Sequence, residues 1–184
     1  MNLYSSLRKI IYPYDFLIKN IPPNSNILDI GCGNSHILSD YKYLKMKSYT
    51  GIDPKIKKNI IKKKFRILKF KIQEITHEIK DYNCILMIDV MHHLKKQDQE
   101  IIFEEITNNM SNNSIFIYKD ISNQNKFFGF MNKMHDLFYN FEKINYLESK
   151  KIFSILNKNT KLNYVHYYKR VLWYDHEFII IKSY

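Results

Sequence analysis

The stretch Ile27-Leu28-Asp29-Ile30-Gly31-Cys32-Gly33-Asn34-Ser35 decides the fold. Its apolar run breaks into two glycines one residue apart, and a helical pattern follows from His36 to Leu44. That order predicts a buried parallel strand, a tight turn and the N-terminus of a helix. Gly31 and Gly33 carry no Cβ, so the chain can turn sharply and a ligand can approach the amides. The unpaired N–H groups and positive dipole end of the helix favour an anionic group at that turn. An adenosine-type cofactor with such a group fits.

The next strand discriminates between cofactors. Ser48-Tyr49-Thr50-Gly51-Ile52 leads into Asp53, 22 residues after Gly31. An acid about 20 residues beyond a glycine turn commonly ends the second strand and accepts ribose hydroxyl protons. A dinucleotide fingerprint needs a third glycine, and that position holds His36. No phosphate-cradling G-x-x-x-x-G-K-[ST] run is present. Asp29, just ahead of the first glycine, instead suits a turn that holds S-adenosylmethionine (SAM).

At these residues the chain resembles the class I SAM-dependent methyltransferases, in particular small bacterial-type members of the type 11/12 kind. The matching segments are Asp29-Ile30-Gly31-Cys32-Gly33, Gly51-Ile52-Asp53-Pro54, and Cys84-Ile85-Leu86-Met87-Ile88-Asp89-Val90-Met91-His92-His93-Leu94. The resemblance implies a Rossmann-like α/β fold. Its sheet is mostly parallel and seven-stranded, with helices on both faces and an antiparallel C-terminal hairpin. It implies that Asp29, Gly31 and Gly33 hold the methionine end of SAM, with Cys32 and Asn34 contributing backbone. By the same resemblance Asp53, followed by Pro54, binds the ribose, and Asp89 and Val90 border the cofactor. The product is then S-adenosylhomocysteine.

A chain of 184 residues and 22.4 kDa is most simply one domain, with room for a sizeable core. Cys32 and Cys84 fall at predicted neighbouring strand ends with no secretory signal ahead of them. Buried, reduced thiols in a cytoplasmic protein are expected. No apolar run approaches the roughly 18 residues that cross a bilayer. The net charge of +11 invites a nucleic-acid partner. Only Arg8, Arg66 and Arg170 are arginines, however, and the richness in Lys, Asn, Ile, Tyr and Phe matches A/T-rich codons. Specific nucleic-acid contacts recruit Arg, so composition is the better reading of the charge.

Along the chain, Leu3, Leu7, Ile10, Ile11, Phe16 and Leu17 form an amphipathic N-terminal cap over residues 1–24, split at Pro13. After Pro54 the lysines from Lys55 to Lys64 read as the solvated face of a helix. Arg66 to Lys71 alternates as a third strand. The near-continuous apolar run from Asn83 to Ile88 is a central strand. A helix follows within 95–110, then a strand over 114–118. Residues 120–160 form a helical roof, with Phe127, Phe128, Phe130 and Phe138 on a helix apolar almost all round. A helix over 148–156 and two closing strands near 162–168 and 176–182 complete the order.

Methyl transfer from a sulfonium asks mainly for alignment and exclusion of water. A base is needed where the acceptor must lose a proton. His93 is the first candidate, His92 the second, and Asp120 after the fifth strand is placed to orient the acceptor. Asp89, His92 and His93 also resemble the acidic-His cluster of some quinone-related O-methyltransferases. Adjacent side chains diverge, so no metal is expected. The expected acceptor is a small or lipid-like molecule, methylated at oxygen. Two alternatives stay open: an RNA methyltransferase that docks through its lysines, and an inactive SAM-binding partner subunit.

Overall fold

β1 (Asn26–Ile30) lies inside a single mixed sheet, parallel to β2 (Ser48–Ile52) on one side and to β5 (Cys84–Ile88) on the other. The computed structural model describes residues 12–33, 45–121, 145–171 and 174–184. Beyond β2 come β4 (Phe65–Leu68), parallel to it, and β3 (Ile60–Lys62), antiparallel to β4. Beyond β5 come β6 (Ile115–Ile121), parallel, then β8 (Tyr174–Ser183) and β7 (Leu162–Val171), each antiparallel to its inner neighbour. The spatial order is β3-β4-β2-β1-β5-β6-β8-β7.

The two central strands read as continuous apolar runs because both of their faces are covered. Along β5, Ile85 and Met87 point to one core while Cys84, Leu86 and Ile88 point to the other. The first core packs Phe103 and Ile106 of one helix, α2 (Lys96–Asn108), and Ile152, Ile155 and Leu156 of another, α3 (Ser149–Lys158). The second receives Leu17 from the short helix α1 (Tyr14–Asn20), which follows Pro13. Burying that leucine contributes about 2 kcal/mol. The strand order runs outward in opposite directions from β1 and β5. A crevice therefore opens beyond their carboxyl ends, where ligands bind in open α/β sheets.

The expected fold class holds, with one element changed. Residues after Pro54 do not form the expected helix; they turn and then supply β3, an eighth strand at the edge of the sheet. Lys63 and Lys64 make the two-residue connection, and the ladder pairs Ile60 with Ile67, Ile61 with Arg66, and Lys62 with Phe65. Two adjacent β-branched isoleucines favour this extended pairing, and a helix here has no continuous apolar stripe to bury. The Asn59 side chain secures the hairpin by accepting the Lys69 N–H at 2.8 Å. The third strand also stops at Leu68, short of the expected Lys71.

The closing helix and hairpin match expectation, and each hairpin strand is 10 residues long. Among the described residues no helix is long and apolar enough to cross a membrane. Several expectations lie outside the described residues: Asn34, the helix over 36–44, the N-terminal stretch 1–11, and the roof helix with Phe127, Phe128, Phe130 and Phe138.

Candidate cofactor and acceptor site

Glycine chemistry builds the first half of the rim. Gly31 (φ 71°) and Gly33 (φ 52°) both occupy left-handed backbone, which a side chain opposes. A Cβ on Gly31 would also stand 2.3 Å from Val90 Cγ2, whereas no described atom lies within 4 Å of a Cβ on Gly33. The Gly31 and Cys32 amides donate to the Ile52 carbonyl at 2.8 and 3.1 Å, tying the turn to β2. Gly51 keeps this approach open, since a Cβ there would meet Cys32 Sγ at 2.7 Å.

Asp53 closes that half. Its Oδ2 accepts the Gly33 N–H at 3.0 Å and its Oδ1 accepts the Lys55 N–H at 2.7 Å. An ionised carboxylate offers about four lone-pair sites, so further capacity remains for a diol. An open backbone cradle beside a carboxylate with spare acceptor capacity fits the adenosine moiety of SAM.

Asp29 is buried behind the turn, and Tyr49 donates its hydroxyl to Asp29 Oδ2 at 2.6 Å. Burial pushes its carboxyl up to about 7; the Tyr49 hydrogen bond opposes this and the Asp53 charge adds to it. The sequence reading did not find Tyr49. Its alternation on β2 and its stacking on Phe65, with centroids 5.3 Å apart, look like ordinary core packing.

The second half of the rim comes from the ends of β5 and β6. Asp89 adopts φ 55°, a conformation Asp tolerates better than most residues. Lys119 donates to Asp89 Oδ1 at 2.5 Å, and its ammonium also lies 4.6 Å from the centroid of the Tyr12 ring. Burial alone would raise the Asp89 carboxyl. Lys119 outweighs it, helped by His92 and His176, and holds the group below its ordinary value.

His92 and Asp120 form a buried pair, with Nδ1 2.6 Å from Oδ1. Asp120 also accepts the His92 backbone N–H at 3.2 Å and the Ile121 N–H at 2.8 Å. Gln99 holds the 91–93 turn from below, donating to Met91 O at 2.8 Å and to Asn145 O at 2.5 Å. The Asn145 N–H in turn donates to His92 O at 3.1 Å. His93 is exposed, its ring 4.1 Å from that of His92. Single donor atoms of Asp89, His92 and Asp120 lie within 4.8 Å of one another. This set differs from the Asp89, His92 and His93 combination weighed on sequence, and Lys119 already neutralises one member.

Comparison with known proteins decides the family. The family described as "Methyltransferase domain" matches residues 5–166. The chain belongs to that family. Its SAM-dependent class I methyltransferase reading therefore stands, as do the expected enzyme class and cofactor. No curated protein matches this methyltransferase in sequence.

Among solved structures, the methyltransferase resembles magnesium protoporphyrin IX methyltransferase from Synechocystis PCC 6803 with S-adenosylhomocysteine bound. The TM-score is 0.67 at 11% identity, over 100% of this chain and 89% of that one. A SAM-dependent methyltransferase from Archaeoglobus fulgidus gives 0.68 at 14% identity, over 99% and 100%. A chain from the Haloferax volcanii complex of the Trm112 activator with a methyltransferase gives 0.72 at 7% identity, over 98% and 92%. At these identities the likeness is one of fold.

Within the methyltransferase, Gly31, Cys32, Gly33, Asp53 and Pro54 fall at the carboxyl ends of β1 and β2. Asp89, Val90, His92, His93 and Asp120 fall at those of β5 and β6. Val90 reaches across to Gly31, so the two halves meet. The sequence reading also missed Gln99, because a buried glutamine on an amphipathic helix carries no motif.

Proposed function

We propose that this methyltransferase methylates the hydroxyl oxygen of a small or lipid-like acceptor, with His92 as the base. The buried His92–Asp120 pair carries this reading. A carboxylate only accepts, so Nδ1 carries the proton, and the remaining ring nitrogen is the basic one. The same logic orients a histidine in hydrolytic triads. His93 was the first candidate on sequence; it is exposed at the rim, whereas His92 is buried against Asp120, and His93 is assigned to acceptor contact. Bound SAM supplies an electrophilic methyl carbon and leaves as S-adenosylhomocysteine.

In this reading the glycine turn, with Asp29, Cys32 and Asn34, holds the methionine end. Asp53 accepts the ribose hydroxyls, and Asp89 and Val90 border the cofactor. Asp120 is a positioning residue. The chain is one domain, with residues 1–24 as its cap and 120–160 as the acceptor roof.

The test is calorimetric titration with SAM and S-adenosylhomocysteine on wild type and Asp53→Ala. Transfer of labelled methyl to a panel of hydroxylated small molecules follows. Binding that Asp53→Ala abolishes, and transfer that His92→Ala abolishes without weakening SAM binding, support the reading. A folded wild type that binds neither ligand overturns the cofactor site. Transfer unaffected by His92→Ala overturns the base.

A further inference from the structure

Codon bias explains an abundance of lysine but not its placement. Residues 55–71 hold nine of the chain's 29 basic residues and none of its 18 acidic ones. The other 20 basic residues face all 18 acidic ones, so nine of the eleven net positive charges sit in 17 consecutive residues. A genome-wide bias would spread lysine along the chain. Here the charge is gathered on one edge of the sheet, the β3–β4 hairpin and its flanks.

We propose that this edge docks on an anionic membrane surface. Lys57, Lys58, Lys62, Lys63, Lys64, Lys69 and Lys71 are all exposed, and among the described residues none makes an ion pair. Beside them Ile61 is 71% exposed and Ile60 42%, on the outermost strand. Bare lysines interleaved with exposed aliphatics match a headgroup layer over an acyl boundary.

A nucleic-acid surface asks for arginine forks for phosphates and an array of aromatic faces for bases, and the edge exposes a single large aromatic, Phe70. The single arginine of the edge, Arg66, is exposed but engages its own fold, donating to Thr50 Oγ1 at 3.2 Å and to the Tyr82 hydroxyl at 3.4 Å. The edge also adjoins the cofactor rim. Asp53 accepts the Lys55 N–H and donates its own N–H to Leu68 O at 3.1 Å. Docking there holds the mouth of the site beside the lipid, whatever the acceptor is.

The test uses the full chain and sedimentation with vesicles of phosphatidylcholine alone or with about one-third phosphatidylserine. Binding is expected only with phosphatidylserine present, and it should fall as salt rises. The triple variant Lys62→Gln/Lys63→Gln/Lys64→Gln should weaken partitioning roughly hundred-fold. Ile61→Asn, which keeps every charge, should weaken it several-fold. Equal pelleting with both vesicles, or none with either, overturns the proposal. So does a wild type that ignores the vesicles but binds oligouridylate, with loss in the triple variant, because the edge is then a nucleic-acid surface.

Discussion

Lys119 Nζ stands 2.5 Å from Asp89 Oδ1 and 4.6 Å from the Tyr12 ring centroid, with its side chain 1% exposed. A fully buried ammonium is tolerable only because that carboxylate answers it. Lys119→Met should therefore cost about 3 kcal/mol in urea unfolding, since Asp89 is left charged and largely enclosed. Adding Asp89→Asn, which keeps the left-handed backbone accessible, should recover most of the loss. A double variant as unstable as the single one would show that packing, not charge, ties the two strands.

The two glycines of the turn should separate in their effects. Gly31→Ala meets both an opposed φ and Val90, so the fold should lose about 2 kcal/mol or more. Val90→Ala should restore part of that loss in a double-mutant cycle. Gly33→Ala meets backbone strain alone. It should cost about 1 kcal/mol in stability but weaken SAM binding more than it weakens the fold.

Asp29 makes a pH prediction with a definite sign. Its carboxyl titrates near 3.8 when unfolded and near 7 when folded, so the native state binds the extra proton between those values. Its contribution is complete below the unfolded value and is lost as pH rises toward 7. The change is on the order of 4 kcal/mol across that window. Asp89 works the other way, its contribution being lost as pH falls, so the wild-type curve mixes both. The difference between wild type and Asp29→Asn isolates the first. Wild type should lose stability relative to the variant on going from acid to neutral pH.

Asp120→Asn should lower kcat roughly 10²–10⁴-fold while the SAM dissociation constant stays near wild type. The pair then acts through the histidine tautomer. A matching loss of SAM affinity would instead mark Asp120 as part of the cofactor pocket.

Cys84 should resist alkylation in the native state. Burial first, and the Asp29 charge second, push its thiol up to about 12, leaving almost no thiolate at neutral pH. Mass spectrometry after iodoacetamide treatment should find Cys84 modified only once the chain is unfolded.

Much of this was legible along the sequence because the relevant signals are local. The apolar run into Gly31-Cys32-Gly33 and the run from Asn83 to Ile88 mark buried strands, and the distance from Gly31 to Asp53 fixes the second strand end. The β3 hairpin was not legible. Ile56 and Ile60 sit at helical spacing, and only pairing with Arg66 and Ile67 distinguishes strand from helix. The His92–Asp120 pair spans 28 residues, and the Asp29–Tyr49 bond joins two neighbouring strands. Both depend on register, which periodicity does not encode.

The double grip of Asp53 has a consequence for engineering. One carboxylate clamps the Gly33 amide with one oxygen and the Lys55 amide with the other, so the pocket and the lysine edge share a fastening. Loop grafting should respect that fastening. Libraries that retain the Asp53-Pro54-Lys55 backbone and vary residues 57–64 can re-address the protein to other surfaces with the catalytic rim untouched. Cutting two residues earlier would unpick the turn itself. The edge is a replaceable module whose socket is a single aspartate.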